Sequence, residues 1–148
     1  MPRTEIDDAT TPEDIAAAFA IRREVFCVEQ GVAEHEEIDG QDAISRHYLV
    51  RSDGQAVATA RVRRLSDGAQ KVERVAVRKP YRGGGLGRAL MERVMADIAI
   101  AGGTHVVLNA QLAVRDFYAG IGFRAEGEVF EEAGIPHVRM VRAITAGR

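Results

Sequence analysis

A glycine-rich turn between a strand-like stretch and a helix-like stretch gives the clearest chemical signal in this 148-residue chain. Residues 71–77 alternate apolar and polar side chains, and from Leu86 onward apolar residues recur every four positions, which predicts a strand followed by a helix. Four glycines fill most of the turn between them: Gly83, Gly84, Gly85 and Gly87. Glycines let a ligand approach the backbone, and a helix N-terminus offers free N–H groups to phosphate oxygens. The turn therefore predicts an anion site, with Arg82 and Arg88 beside it.

The spacing of these glycines excludes two common phosphate-binding motifs. A P-loop requires Lys and then Ser or Thr after its last glycine, whereas Arg88 and Ala89 follow here. The dinucleotide fingerprint G-x-G-x-x-G fails because its third glycine would fall on Arg88 or Leu90. The stretch R-G-G-G-L-G at 82–87 instead resembles the Arg/Gln-x-x-Gly-x-Gly/Ala signature of the Gcn5-related N-acetyltransferase (GNAT) superfamily, whose loop holds the pyrophosphate of acetyl-CoA. The alternative is an ordinary tight turn that binds nothing.

A second motif extends the resemblance into the later half of the chain. Residues 117–123, F-Y-A-G-I-G-F, are similar to the F-Y-x-x-x-G-F segment that ends a helix in the same superfamily. The stretches F-C-V-E-Q-G at 26–31 and G-I-P-H at 134–137 resemble a small bacterial subgroup of acetyltransferases. The resemblance covers roughly residues 13–144, nearly the whole chain. The resemblance implies an α/β (α+β) fold with a mixed, splayed central sheet and helices on both faces, in a single domain over 1–148.

The resemblance also implies which residues bind the donor and the acceptor. Asn109 would contact the pantetheine arm, and Tyr118 would face the thioester sulfur. The full set expected to bind acetyl-CoA comprises one strand end, the glycine turn and these two residues: Val75, Ala76, Val77, Arg82, Gly83, Gly84, Gly85, Leu86, Gly87, Arg88, Asn109 and Tyr118. Three polar side chains are expected near the acceptor: Glu29, Gln30 and Gln111.

Acyl transfer to an amine defines the catalytic roles to be filled. A lysine-like amine has a pKa of about 10.4, so a base or a water relay helps to deprotonate it. Glu73, Glu29 and His137 are the three candidates for that base. Tyr118 is the candidate general acid for the thiolate, provided that its environment lowers the phenol pKa; the alternative is a core aromatic residue. Backbone N–H groups around Val75 would hold the oxyanion.

Composition narrows the class of protein. Hydrophobic residues at 46% and a net charge of −2 are ordinary for a globular domain and indicate neither nucleic acid nor membrane as a partner. A single cysteine, Cys27, excludes an intrachain disulfide and fits the cytoplasm. The four histidines show no metal-ligand spacing, so no metal is predicted. An exposed edge strand would allow a homodimer.

The remaining segments are predicted from periodicity and turn residues. Helices are expected from residue 12 into the high twenties and over 111–120, and strands near 47–50, 56–64, 105–109, 123–127 and 137–144. Arg22 lies on the apolar stripe of the first helix, and its charge is expected to reach water. The acidic segment 34–39 would attract a cationic amine or would be a solvated loop.

The sequence therefore predicts an enzyme that transfers the acetyl group of acetyl-CoA directly to a primary amine of a small molecule or peptide. The alternative is a non-catalytic acyl-CoA-binding regulatory module, which would keep the glycine turn but would not need Tyr118. A nucleotide-binding switch domain is disfavoured because the P-loop lysine is absent.

Overall fold

A seven-stranded mixed sheet organises the computed structural model, which describes residues 2–145. The strands, in chain order, are β1 (Thr4–Asp8), β2 (Arg46–Ser52), β3 (Gln55–Arg64), β4 (Gln70–Val77), β5 (His105–Gln111), β6 (Arg124–Glu132) and β7 (Ile135–Ala143). Their order across the sheet is β1-β2-β3-β4-β5-β7-β6, and every neighbouring pair is antiparallel except the parallel pair β4–β5. Strands β2, β3 and β4 form an antiparallel meander, and a crossover through α3 leads to β5.

Four α-helices accompany the sheet in the described part of the chain: α1 (Pro12–Arg22), α2 (Glu34–Glu37), α3 (Leu86–Ile100) and α4 (Arg115–Gly120). A π-helical stretch, Arg23–Glu29, continues α1, so helical structure reaches the high twenties as predicted. Thr11 is the N-cap of α1, and its Oγ1 accepts a hydrogen bond from the backbone N–H of Asp14 at 3.1 Å. No described helix is both long and apolar enough to span a membrane.

Two hydrophobic clusters lie on opposite faces of the sheet. On β2, Tyr48 belongs to one cluster and the next residue, Leu49, to the other, as the alternation of a strand requires. The larger cluster packs α3 against the sheet through residues such as Leu90 and Val94. The smaller cluster packs α1 through Ile21 and its neighbours. Helices therefore cover both faces, which confirms the predicted architecture.

The sheet splays at its centre. Strands β4 and β5 pair only through Gln70 with Val106 and Lys71 with Val107, and they then diverge. The later residues of both strands consequently have backbone groups that the other strand does not use. This divergence confirms the predicted splayed sheet, and it opens a gap at the carboxyl ends of the two central strands.

One strand was not predicted. Strand β1 pairs with β2 at the edge of the sheet, but Ile6 is its only large apolar residue, so it shows no hydrophobic pattern. The strand β6 is longer than the predicted 123–127 and forms the opposite edge, with nearly all of its side chains exposed.

Candidate active site

A cavity of about 760 Å³ occupies the gap between the diverging ends of β4 and β5. Its walls come from the two strands, the glycine turn, α4, the end of the π-helical stretch and the start of β7. Nearly all of the residues predicted to bind the donor or the acceptor or to take part in catalysis line this cavity, although they lie up to about 100 positions apart in the chain. Gly84 and Glu29 are the two exceptions that do not line the cavity.

The glycine turn forms one end of the cavity and leads into α3. Gly85 occupies the N-cap position with a φ of 85°, in the left-handed region that favours glycine. No side chain caps this helix, and its first turn contains no acidic residue. The first N–H groups of a 15-residue helix therefore remain free to bind an anion.

The arginines around the turn are already paired with carboxylates. Arg82 donates from Nε to the carbonyl of Val77 at 2.8 Å, and from Nη1 and Nη2 to the carboxylate of Glu29 at 2.6 and 2.8 Å. Arg88 likewise donates to Glu92 at 3.1 Å. The hydrogen bonds from Arg82 lower the pKa of the Glu29 carboxyl. Glu29 does not line the cavity and is the partner of an arginine that does, so the structure supports neither an acceptor-binding nor a general-base role for it.

Tyr118 lies on the cavity wall and is 7% exposed. Its ring packs edge-on against Phe117 and Phe123, with centroids 5.0 and 6.0 Å away. The hydroxyl forms no hydrogen bond with any residue in the described range 2–145 and so is available to a ligand. Burial raises the pKa of Tyr118, the opposite of the change that a general-acid role would favour. The hydroxyl therefore stays protonated at neutral pH and acts as a hydrogen-bond donor.

Glu73 does not have the environment of a general base. Its Oε2 accepts from Arg61 Nη2 at 2.5 Å and from Arg63 Nε at 3.0 Å, and its Oε1 lies 3.2 Å from Lys71 Nζ. Although burial acts to raise the pKa of Glu73, these cations outweigh it and lower the value to about 2. A carboxylate held in this way accepts a proton poorly at neutral pH, so the expectation of a base at Glu73 is not met.

His137 is better placed to accept a proton. It lies near the start of β7, opposite Gln111 of β5, lines the cavity and is 8% exposed. Its Nδ1 lies 2.6 Å from the carbonyl oxygen of Ile135, which can only accept, so Nδ1 carries the proton and donates it. The ring stacks on Phe130, with centroids 5.9 Å apart. In the neutral ring, the other nitrogen, Nε2, is left with a free lone pair.

A bulge interrupts β4 where it borders the cavity. Glu73 and Ala76 pair with β3, but the two residues between them, Arg74 and Val75, face only Ala60. Arg74 has a φ of 55°, a left-handed conformation that non-glycine residues seldom adopt. Because β5 has already diverged, the register gives the two bulge residues no partner on either neighbouring strand. Their backbone groups are thus candidates to bind an oxyanion, as the sequence predicted around Val75.

Part of the acidic segment 34–39 is paired with arginines, whereas Glu36 is exposed and lines the cavity. Arg22 is fully buried, and its Nε donates to Glu37 at 2.9 Å; the expectation that its charge reaches water is therefore wrong. Arg74 also donates to Glu37, at 2.6 Å, and Arg61 donates twice to Asp39, at 2.8 Å each. The segment includes the short helix α2, and of residues 34–39 only Glu37 is buried, so the attraction of a cationic amine stays a prediction.

Two hydrophilic residues close one side of the cavity, where the acceptor is expected. Gln111 Nε2 donates to Gln30 Oε1 at 2.9 Å and thereby joins β5 to the end of the first helical segment. Asn109, two residues before Gln111 on β5, also lines the cavity. Within residues 2–145, no group of three or more His, Cys, Asp or Glu could hold a metal ion.

Sequence reasoning missed Glu37 and Arg74, which both line the cavity. The two residues are 37 positions apart, and no local spacing signals their contact. The sole hint in the sequence is that an acidic segment coexists with many arginines and only two lysines, Lys71 and Lys79. Arginine is the cation best suited to buried, multiply hydrogen-bonded pairs.

Comparison with known proteins assigns this fold and site to a family. The family model of the acetyltransferase (GNAT) domain matches residues 6–144, nearly the whole chain. The chain belongs to the GNAT family of acetyltransferases.

Relatives and solved structures of similar length agree with this assignment. The chain is 38% identical over 135 residues to the uncharacterized N-acetyltransferase YjcF of Bacillus subtilis, a match that covers 90% of this chain and 96% of the relative. An acyl-CoA N-acyltransferase from Pseudomonas aeruginosa superimposes with a TM-score of 0.84 at 32% identity, covering 95% of this chain and 99% of the other. ElaA of Escherichia coli superimposes with a TM-score of 0.82 at 30% identity, covering 96% and 99%.

Proposed function

We propose that the protein transfers an acetyl group from acetyl-CoA to a primary amine of a small molecule or peptide. One observation carries the proposal: a single cavity contains the uncapped α3 N-terminus at one end and the unpaired Tyr118 hydroxyl and bulge backbone further in. The first of these features suits a pyrophosphate, and the others suit a reacting thioester. The acyl-CoA N-acyltransferase name of the Pseudomonas aeruginosa relative supports the same donor.

The donor would lie along the gap between β4 and β5. Its pyrophosphate would accept hydrogen bonds from the first N–H groups of α3, where Gly83 and Gly85 leave the backbone open. Its pantetheine amides would pair with the strand edges that the splay leaves free, in the manner of an added strand, near Val77 and Asn109. This placement brings the thioester to the bulge of β4.

The reaction then uses three groups of this chain. The amine nitrogen attacks the thioester carbonyl carbon, and backbone N–H groups at Arg74 and Val75 bind the oxygen as it gains negative charge. His137 Nε2 accepts the proton that the amine loses, directly or through one water molecule. The C–S bond breaks, and Tyr118 donates a hydrogen bond to the departing thiolate, which lowers its energy although Tyr118 is not an acidic phenol.

Direct detection of transfer tests the proposal. The purified protein would be incubated with acetyl-CoA and a panel of primary amines: polyamines, amino acids, aminoglycosides and lysine peptides. We expect release of free CoA thiol that depends on one class of amine, together with an acetylated product identified by mass spectrometry. Tight binding of acetyl-CoA without transfer to any amine would instead indicate the acyl-CoA-binding module.

The same assay identifies the proton acceptor. Replacing His137 by Gln removes the basic ring nitrogen but keeps a polar side chain of similar length. We expect kcat to fall by about 100-fold, within the usual range for a general base, while the Kd for acetyl-CoA is unchanged. A variant with normal kcat would remove His137 from the mechanism.

A further inference from the structure

We propose that Glu37 is a positioning residue that holds the β4 bulge in its reactive shape through Arg74. The inference rests on the proposed function, because it concerns the backbone groups assigned to the oxyanion. It adds a role for the segment after the first helical region, which would determine the geometry of the reacting centre through its contact with Arg74.

The bulge needs support from its surroundings. Three described non-glycine residues have positive φ, and two of them, Asp53 and Ala133, lie in turns between strands. Arg74 is the one that lies inside a strand. A left-handed conformation at such a residue persists only where neighbouring contacts hold it. The register supplies no such contact, since neither β3 nor β5 pairs with Arg74.

The side chain of Arg74 supplies the missing contacts through α2. Its Nε donates to Glu37 Oε2 at 2.6 Å, and its Nη2 donates to the backbone carbonyl of Glu37 at 2.9 Å. Nη2 also lies 3.3 Å from Asp39 Oδ2. A guanidinium bound at several points to one residue fixes its own side chain and therefore its backbone.

Glu37 is itself immobilised by the body of the protein. Its side chain is 4% exposed, and its two carboxylate oxygens accept from Nε and Nη2 of the fully buried Arg22 at 2.9 and 3.0 Å. Arg22 in turn donates to Asp42 at 2.6 Å. A continuous series of charged hydrogen bonds thus connects the end of α1 with the bulge.

Losing the Arg74 side chain should have a different effect from losing a contact to CoA. The Arg74 guanidinium is bound to Glu37, and the two bulge residues, Arg74 and Val75, line the cavity. Loss of the side chain should therefore change the reactivity of a bound thioester more than the affinity for CoA, whose pyrophosphate lies at the glycine turn. Displacement of an oxyanion donor is expected to cost about 10- to 100-fold in kcat.

A pair of substitutions at Arg74 tests this directly. Arg74→Ala and Arg74→Gly both remove the side chain, but only glycine adopts a φ of 55° without strain. We expect Arg74→Ala to lower kcat by about 10- to 100-fold with little change in the Kd for CoA. The kcat of Arg74→Gly should be at least about threefold higher than that of Arg74→Ala. Equal losses in the two variants would overturn the proposal, as would an unchanged kcat in Arg74→Ala.

A second pair of substitutions tests Glu37. Glu37→Gln removes the charge that binds Arg74 and should lower kcat in the same way as Arg74→Ala. Glu34→Gln is the matched control, because Glu34 lies on the same short helix but forms an exposed ion pair with Arg23. We expect the control to keep the wild-type kcat. Full activity in Glu37→Gln would contradict the proposal.

A binding measurement separates failure of this inference from failure of the proposed function. Acetyl-CoA and S-ethyl-CoA, a thioether without the carbonyl oxygen, would be titrated into the folded proteins. We expect the wild type to prefer acetyl-CoA and Arg74→Ala to lose that preference. If the wild type transferred acetyl to no amine, the proposed function would fail. The ratio of the Kd values for S-ethyl-CoA and acetyl-CoA would still decide the role of the bulge. An equal preference in both proteins would overturn the inference.

Discussion

The carboxylate of Glu29 binds the guanidinium of Arg82 through two parallel hydrogen bonds of 2.6 and 2.8 Å. The pair joins the end of the first helical region to the glycine turn. Both side chains are partly exposed, at 31% and 39%. A pyrophosphate that binds at the turn therefore meets an arginine whose charge is already balanced, and the anion must rely chiefly on the N-terminus of α3.

Removing the charge of Glu29 should strengthen donor binding. In Glu29→Gln the charge of Arg82 is no longer balanced, so we expect the Kd for acetyl-CoA to fall by about two- to fivefold, the scale of an exposed ion pair. The gain should shrink at high salt. S-acetylpantetheine, which lacks the pyrophosphate, is the control ligand. Calorimetric titration of both ligands tests this, and an equal gain for both would show that Arg82 does not act on the pyrophosphate.

Replacing Tyr118 by Phe removes the hydroxyl but preserves the packing against Phe117 and Phe123. We expect kcat to fall by about tenfold, which corresponds to one hydrogen bond of about 1.4 kcal/mol, while the Kd for CoA stays unchanged. Because burial raises the pKa of Tyr118 above its ordinary value, its ionisation should not limit activity on the alkaline side below about pH 10. Initial rates as a function of pH for both proteins check these points; undiminished turnover by the variant would exclude a role in transfer.

Two adjacent glycines of the turn should differ in their tolerance of alanine. Gly85 has a φ of 85°, whereas Gly84 has no positive φ, and a Cβ added at Gly84 would lie 4.0 Å from its nearest neighbour, the carbonyl oxygen of Tyr81. Gly85→Ala should cost about 1 kcal/mol of folding free energy, because a left-handed alanine is strained, and it should weaken CoA binding. Gly84→Ala should fold with wild-type stability. Urea unfolding of both variants is the measurement, and equal stabilities would contradict the conformational argument.

Acid should lower the free energy of unfolding, because Glu73 becomes protonated. The cations around it lower its pKa from the ordinary 4.5 to about 2, so its ionised form stabilises the folded state above pH 4.5. That contribution, on the order of 3 kcal/mol, is lost as the pH falls from 4.5 towards 2.

Urea unfolding across this pH window should therefore show a steep loss of stability in the wild type and a shallower loss in Glu73→Gln. Glu128, exposed on β6, provides the matched control Glu128→Gln, which should keep the wild-type slope. Identical slopes in all three proteins would assign the acid sensitivity to other carboxyl groups.

Local patterns predicted the glycine turn, the helix after it and most of the strands because each depends on residues close together in the chain. The hydrophobic period from Leu86 and the left-handed preference of Gly85 are examples. The divergence of β4 and β5 was predicted only from the family resemblance, because no residue spacing within either strand shows where the two strands stop pairing.

The charged cluster could not be predicted from the sequence for a physical reason. Arg22 on an apolar stripe indicated a side chain that reaches water, but partners from Glu37 and Asp42 made complete burial possible. Glu73 was one of three candidates for the base, whereas Arg61, Arg63 and Lys71 surround it in the fold. The burial of Arg22 and the lowered pKa of Glu73 both depend on contacts with residues that are distant in the sequence.

Calorimetric titration of the wild-type protein with acetyl-CoA, with NAD as the control ligand, shows whether the cavity binds the proposed donor. We predict one acetyl-CoA bound per chain, competition by free CoA and no heat from NAD. A thermal unfolding scan should show the matching stabilisation, about 2.7 kcal/mol at a hundred times the Kd. Absence of acetyl-CoA binding would contradict the account, because the gap between β4 and β5 would then have no donor to hold.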